Sequence, residues 1–98
     1  MICAHGSISV DPGRDLDTVS GAFERGKHII RGGDGCHSVT LFECLEEPGR
    51  LVLLVEWESV EHHRRFAESP ALAEWRSIMG PFFTAPPETI YLRKIGSA

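Results

Sequence analysis

Residues 51–58, LVLLVEWE, constrain this chain more than any other stretch. An unbroken aliphatic run of this length, short and rich in β-formers, predicts a strand. Alternation places Leu51, Leu53, Val55 and Trp57 on one face and Val52 and Leu54 on the other. Both faces are apolar as far as Glu56, so both must be covered. Helices can cover one. In a chain of 98 residues little is left for the second, because a domain this small buries only about 60–65% of its unfolded-chain surface. A second copy of the chain is the expected cover.

The rest of the sequence supplies the partners of that strand. Residues 2–10 alternate, with Ile2, Ala4, Gly6, Ile8 and Val10 on one face and Cys3, His5, Ser7 and Ser9 on the other. DPG at 11–13 ends this strand. Residues 15–31 read as a helix, with Asp15 and Asp17 at its start and Lys27, His28 and Arg31 at its end, matching the helix dipole. Leu16, Val19, Phe23 and Ile30 are its expected apolar face, and Gly21 and Gly26 weaken it. GGDG at 32–35 stops the helix. Strand 36–45 and the hairpin connection EEPGR at 46–50 lead into the 51–58 strand. Ser59 is placed to cap a helix over 60–68. Ser69-Pro70 then restarts a second helical segment carrying Leu72, Trp75, Ile78 and Met79, which Gly80-Pro81 ends. A last strand is expected over 89–95.

The order is β-α-β-β-α-β. It predicts an α+β, ferredoxin-like fold: one domain over 1–98, with a four-stranded antiparallel sheet and helices on one face. The open sheet face is expected to pack against that of a second copy, giving a homodimer.

Charge and targeting signals narrow the function. The net charge of −4 argues against nucleic acid as a partner. No apolar run approaches the length of a membrane span, and MICAHGSISV has neither the basic nor the apolar region of a signal peptide. A cytoplasmic location is expected. The three cysteines, Cys3, Cys36 and Cys44, form no C-x-x-C and are expected to be reduced, buried strand residues.

The run LVLLVEWESVEHHRRFAESPALAEWRSIMGPFF, with Gly35-Cys36 before it and the VDPG turn, resembles the antibiotic biosynthesis monooxygenase superfamily of bacteria. The resemblance covers nearly the whole chain and is densest over 35–83. It implies a dimeric α+β barrel. It also implies cofactor-independent oxidation of polycyclic phenols to quinones in polyketide pathways, with molecular oxygen as co-substrate and no flavin or metal. Other members degrade haem, isomerise or cyclise small molecules. In the quinone-forming members an Asn and a Trp four residues apart lie on the helix after the third strand; the matching positions here are His62 and Phe66. The positions matching the haem-degrading triad are Gly6, Phe66 and Arg76, so haem is not expected as a cofactor.

WESVEHHRRF, residues 57–66, holds two adjacent histidines. Neighbours on a helix point about 100° apart, so His62 and His63 cannot converge on one metal ion, and no metal site is expected. Periodicity puts Val60, His63, Phe66 and Ala67 toward the sheet, His62 on the flank, and Glu61, Arg64 and Arg65 in solvent. His63 is then either a hydrogen-bonded core residue or the base of a pocket. His62 has a catalytic part only if the pocket reaches its flank. Arg76 is a candidate for stabilising an enolate or phenolate. Trp57, Phe66, Trp75, Phe82 and Phe83 are candidate walls for a planar aromatic substrate, Gly6 leaves room, and Tyr91 is a candidate substrate contact. His5 is expected at the dimer face or in the barrel interior, and Glu56 to pair with an arginine across the dimer, Arg93 being one candidate. Three readings stay open: a cofactor-independent monooxygenase, a cyclase or isomerase, and a non-catalytic binder.

Overall fold

The computed structural model describes residues 1–98. The elements follow in the order β1 (Ile2–Ser9), α1 (Leu16–Arg31), β2 (Cys36–Glu43), β3 (Arg50–Trp57), α2 (Val60–Ala67), α3 (Pro70–Met79) and β4 (Glu88–Leu92), with one 3-10 turn at Gly80–Phe82. The sheet order is β2-β3-β1-β4, every pair antiparallel. This is the ferredoxin-like α+β plan.

The period-two reading of β1 holds along its length. Ile2, Ala4, Gly6, Ile8 and Val10 are buried, and the residues between them are half-buried. The register places Ala4 opposite Val55 of β3 and Tyr91 of β4. Ala4, Gly6, Leu53, Val55, Trp57, Thr89 and Tyr91 therefore share the helix-covered face. The strand ends at Ser9. Val10 forms an isolated bridge with Phe83, and the Thr84 N–H donates to Ser9 O at 2.8 Å. These two ties bring the 83–87 segment back beside β1.

Local signals set the helix ends. Asp15 Oδ1 accepts the Asp17 N–H at 3.0 Å, capping α1. Val19, Ala22, Phe23, Gly26 and Ile30 are its buried face. Leu16, expected on that face, is 40% exposed, because it is the first residue of the helix and only partly covered. Gly26 has a packing reason: a Cβ there would lie 3.2 Å from Trp75 Cε3. The missing side chain lets α3 approach α1, and Phe23 meets Trp75 edge-on with ring centroids 6.1 Å apart.

The second helical region is broken as Ser69-Pro70 predicts. Ser69, however, does not cap α3 with its side chain. Its Oγ donates to Phe66 O at 2.7 Å and so closes the end of α2. The terminal strand is shorter than expected, stopping at Leu92, and β2 stops at Glu43. Ala67, expected to face the sheet, borders the space between sheet and helices but stays exposed at the end of α2.

Fifteen buried apolar residues form the core between helices and sheet, with Trp57, Ile8, Met79 and Val19 the largest fully buried side chains. Each such side chain stabilises the fold by about 1.5–3 kcal/mol. Cys36 belongs to this core, but Cys3 and Cys44 are only partly buried. The opposite sheet face has no cover within the chain. Phe42, Ile90 and Leu92 are exposed on it, beside half-buried Val52 and Leu54. His5 lies among them, opposite Leu54 and Ile90. Glu56, also on this face, accepts from Ser38 Oγ at 2.6 Å within the chain. No helix is long and apolar enough to cross a membrane.

Candidate functional site

A cavity of about 250 Å³ opens between the sheet and the helices. Its floor is β1 and β3, through Ala4, Gly6, Ile8, Leu53, Val55 and Trp57; its roof is α2 and α3, through His63, Phe66, Ala67, Leu72, Trp75 and Arg76; Phe83, Pro87 and Thr89 border the remaining side. Six of the eight site residues expected from the sequence stand directly against it. Gly6, Trp57, His63, Phe66, Trp75 and Arg76 line it, and His62 does not. The eighth, Tyr91, does not line it either, but touches His63.

Gly6 keeps the floor open. A Cβ at this position would meet Leu53 O at 3.6 Å, Leu53 Cβ at 3.7 Å and Thr89 Oγ1 at 3.9 Å, which are ordinary contacts. The aromatic walls are braced against each other. Trp57 and Phe66 are tilted with centroids 5.4 Å apart, and Trp57 meets His63 edge-on at 5.7 Å. The Trp57 Nε1–H is sealed from solvent without a protein acceptor, a cost of about 1–3 kcal/mol that the packing of the indole offsets.

His63 is a titratable group on the cavity wall whose proton affinity the fold lowers. It is half-buried. Burial pushes its imidazole below the ordinary value, and the neighbouring Arg64 charge pushes it further the same way. Its Nδ1 is 2.6 Å from Tyr91 Oη. Its Nε2 has no protein partner, yet it is not among the atoms sealed from solvent. The result is a neutral imidazole with one ring nitrogen held and the other free at an aromatic cavity. Such a group can take or give a proton near neutral pH.

His62 belongs to different surroundings. Ser59 Oγ accepts the His62 backbone N–H at 3.3 Å as the α2 cap and lies 2.7 Å from His62 Nδ1. His62 Nε2 is 3.9 Å from the exposed Asp34 carboxylate. The ring lies against Gly35, which has φ +82° and no room for a Cβ. His62 borders a separate, more polar depression with Asp34, Arg65, Ser69 and Glu74. Phe66 stands between the two depressions and lines both.

Phe82 and His37 lie outside the cavity. Phe82 carries Arg14 over its ring at 5.2 Å. His37 pairs with Glu58 at the surface, 2.7 Å apart. No three His, Cys, Asp or Glu side chains are grouped so as to hold a metal ion. Of the positions matched to the haem-binding members, Gly6 and Phe66 have no ligating atom. Thr89 and Pro87 were not foreseen as lining residues; the spacing of Thr89 to Tyr91 on a period-two strand was the available signal.

The model of the antibiotic biosynthesis monooxygenase family matches residues 1–77. The uncharacterized protein YczJ of Bacillus subtilis (strain 168) is 33% identical over 75 residues, covering 76% of this chain and 79% of that protein. Among solved structures, a Bordetella bronchiseptica protein named for the antibiotic biosynthesis monooxygenases superposes with a TM-score of 0.89 at 34% identity, covering 96% of both chains. SnoaB, a cofactor-independent oxygenase from Streptomyces nogalater, superposes with a TM-score of 0.79 at 14% identity, covering 98% of this chain and 94% of its own. At that identity the likeness is one of fold.

Proposed function

Because the chain belongs to the antibiotic biosynthesis monooxygenase family, we propose that it is a cofactor-independent monooxygenase acting on an aromatic or polyketide-derived small molecule, with His63 as its base. The observation that carries this reading is the neutral imidazole of His63, with a free Nε2, on the wall of an aromatic cavity. About 250 Å³ lies just under the usual range for drug-sized ligands and suits a compact planar substrate.

The chemistry follows from acidity. In an anthrone-type substrate, loss of a proton from the ring CH2 leaves a carbanion delocalised onto oxygen. His63 Nε2 receives that proton. Arg76, at the cavity wall, is placed to balance the charge that develops on oxygen. The carbanion supplies the electrons that reduce O2. One oxygen atom enters the ring as the quinone carbonyl, and the other leaves as water together with the two hydrogens of the original CH2. Electrons and atoms balance without flavin or metal. SnoaB, which shares the fold, is a cofactor-independent oxygenase, which supports this economy.

A homodimer formed by the uncovered sheet face completes the proposal. The exposed Phe42, Ile90 and Leu92 and the half-buried Leu54 supply an apolar contact surface there. A second reading, a cyclase or isomerase using the same histidine, is favoured by one observation. His62 stands where the quinone-forming members resemble one another in an Asn, and it does not face the cavity. Oxygen separates the readings. The monooxygenase converts anthrone to anthraquinone only in air, with one O2 consumed per turnover. A cyclase or isomerase works equally well under nitrogen on its own substrate and leaves anthrone unchanged.

A further inference from the structure

The bond between His63 and Tyr91 has no part in the chemistry above. The two side chains come from α2 and β4, 28 residues apart in sequence. Their rings meet edge-on, with centroids 5.4 Å apart and planes at 76°. Tyr91 is 39% exposed and stands on an edge strand, opposite Ala4. It does not border the cavity, so its reach into the site runs through the imidazole.

We infer that Tyr91 is a positioning residue: its hydroxyl accepts the Nδ1–H of His63, fixing the imidazole in the Nδ1–H tautomer with the Nε2 lone pair turned to the cavity. The inference rests on the reading of His63 as base. A neutral imidazole carries one N–H, and the hydrogen bond of one nitrogen decides the state of the other. Nδ1 is engaged by Tyr91 and Nε2 has no protein partner. With the proton on Nε2, that N–H would have no protein acceptor and would depend on water, whereas a lone pair there can go unpaired at lower cost. With the proton on Nδ1, the N–H is satisfied by Oη, and the exposed phenol gives its own proton to water. When Nε2 takes up the substrate proton, Nδ1–H becomes a charge-assisted donor to the same oxygen. Arg64 adjoins His63 on α2 and its charge opposes the imidazolium, and Arg76 lines the same cavity from α3. Tyr91 Oη is thus the protein acceptor that favours the imidazolium.

The test uses the full chain with 15N-labelled histidine. Long-range 1H–15N spectra of the free protein give the tautomer and the titration of His63, in the wild type and in Tyr91→Phe. Turnover of anthrone is measured alongside, with His63→Gln as the control for the base. The expected wild-type signal is that of the Nδ1–H tautomer. Tyr91→Phe moves it toward Nε2–H and lowers the proton affinity of His63 about tenfold, and kcat falls about tenfold with KM unchanged, the scale of one hydrogen bond. A wild-type Nε2–H tautomer, or a Tyr91→Phe spectrum identical to the wild type, overturns the role of Tyr91. If Tyr91→Phe does not fold, the wild-type tautomer alone decides. Full activity in His63→Gln overturns the base instead, and leaves the spectra to judge Tyr91 separately.

Discussion

His62 and His63 are consecutive in sequence and open onto different depressions of the protein, with Phe66 as the wall between them. One imidazole is tied to the cap of its own helix through Ser59. The other is tied to a distant strand through Tyr91. Adjacent helical positions diverge by about 100°, and that angle alone separates a local structural contact from the cavity.

His62→Ala should therefore act on stability and not on turnover. It removes the Ser59–His62 side-chain contact but keeps the Ser59 cap of the backbone. The expected loss is about 0.5–1.5 kcal/mol, one hydrogen bond, read from the urea midpoint. Anthrone turnover should match the wild type.

Gly35→Ala should be more damaging. The position has φ +82°, and an added Cβ collides with the His62 ring. A non-glycine residue held in such a region costs about 1–3 kcal/mol before the collision is counted. Combining it with His62→Ala should recover the steric part, because the two sites touch. Urea denaturation of the two single variants and the double variant checks this.

The pH response follows from the lowered proton affinity of His63. Its ordinary value is 6.5, and the folded protein holds it below that. Between the two values the unfolded chain binds more protons, so stability rises with pH across that window. The contribution is complete above 6.5 and is lost as pH falls through the folded value. The acidic limb of kcat/KM for anthrone should lie below 6.5 for the same reason. Thermal melts and a rate profile from pH 4 to 8, at about constant ionic strength, measure both.

The open sheet face should hold two copies together. Leu54→Glu places a carboxylate among His5, Ile90 and Thr40, the neighbours given by the register. Light scattering after gel filtration should show a dimer for the wild type and a monomer for the variant. A monomeric wild type would remove the proposed interface.

The features legible in sequence are those governed by local chemistry. The two-faced run 51–58, the alternation of 2–10 and the Ser59 cap each determined an element, because period and capping act over a few residues. The inward turn of His63 and the flank position of His62 were legible for the same reason. The contact of His63 with Tyr91 was not, since it joins residues 28 apart and depends on the register of β4 against β1. The use of Ser69 was also hidden. Its hydroxyl has two competing backbone targets, and the structure gives it Phe66 O and not the start of α3. Gly26 weakens α1 by propensity alone, and its reason, the close approach of Trp75, lies on α3, far away in sequence.

The proposed role of His63 as the base of the cavity is tested by oxygen uptake with anthrone. Wild-type protein and His63→Gln, matched by thermal melt, are compared in air. The expected result is oxygen consumption equal to anthraquinone formed for the wild type, and a fall of at least about 100-fold in kcat for His63→Gln, the low end for loss of a general base. Equal rates for the two proteins, or no oxygen uptake by the wild type, would contradict it.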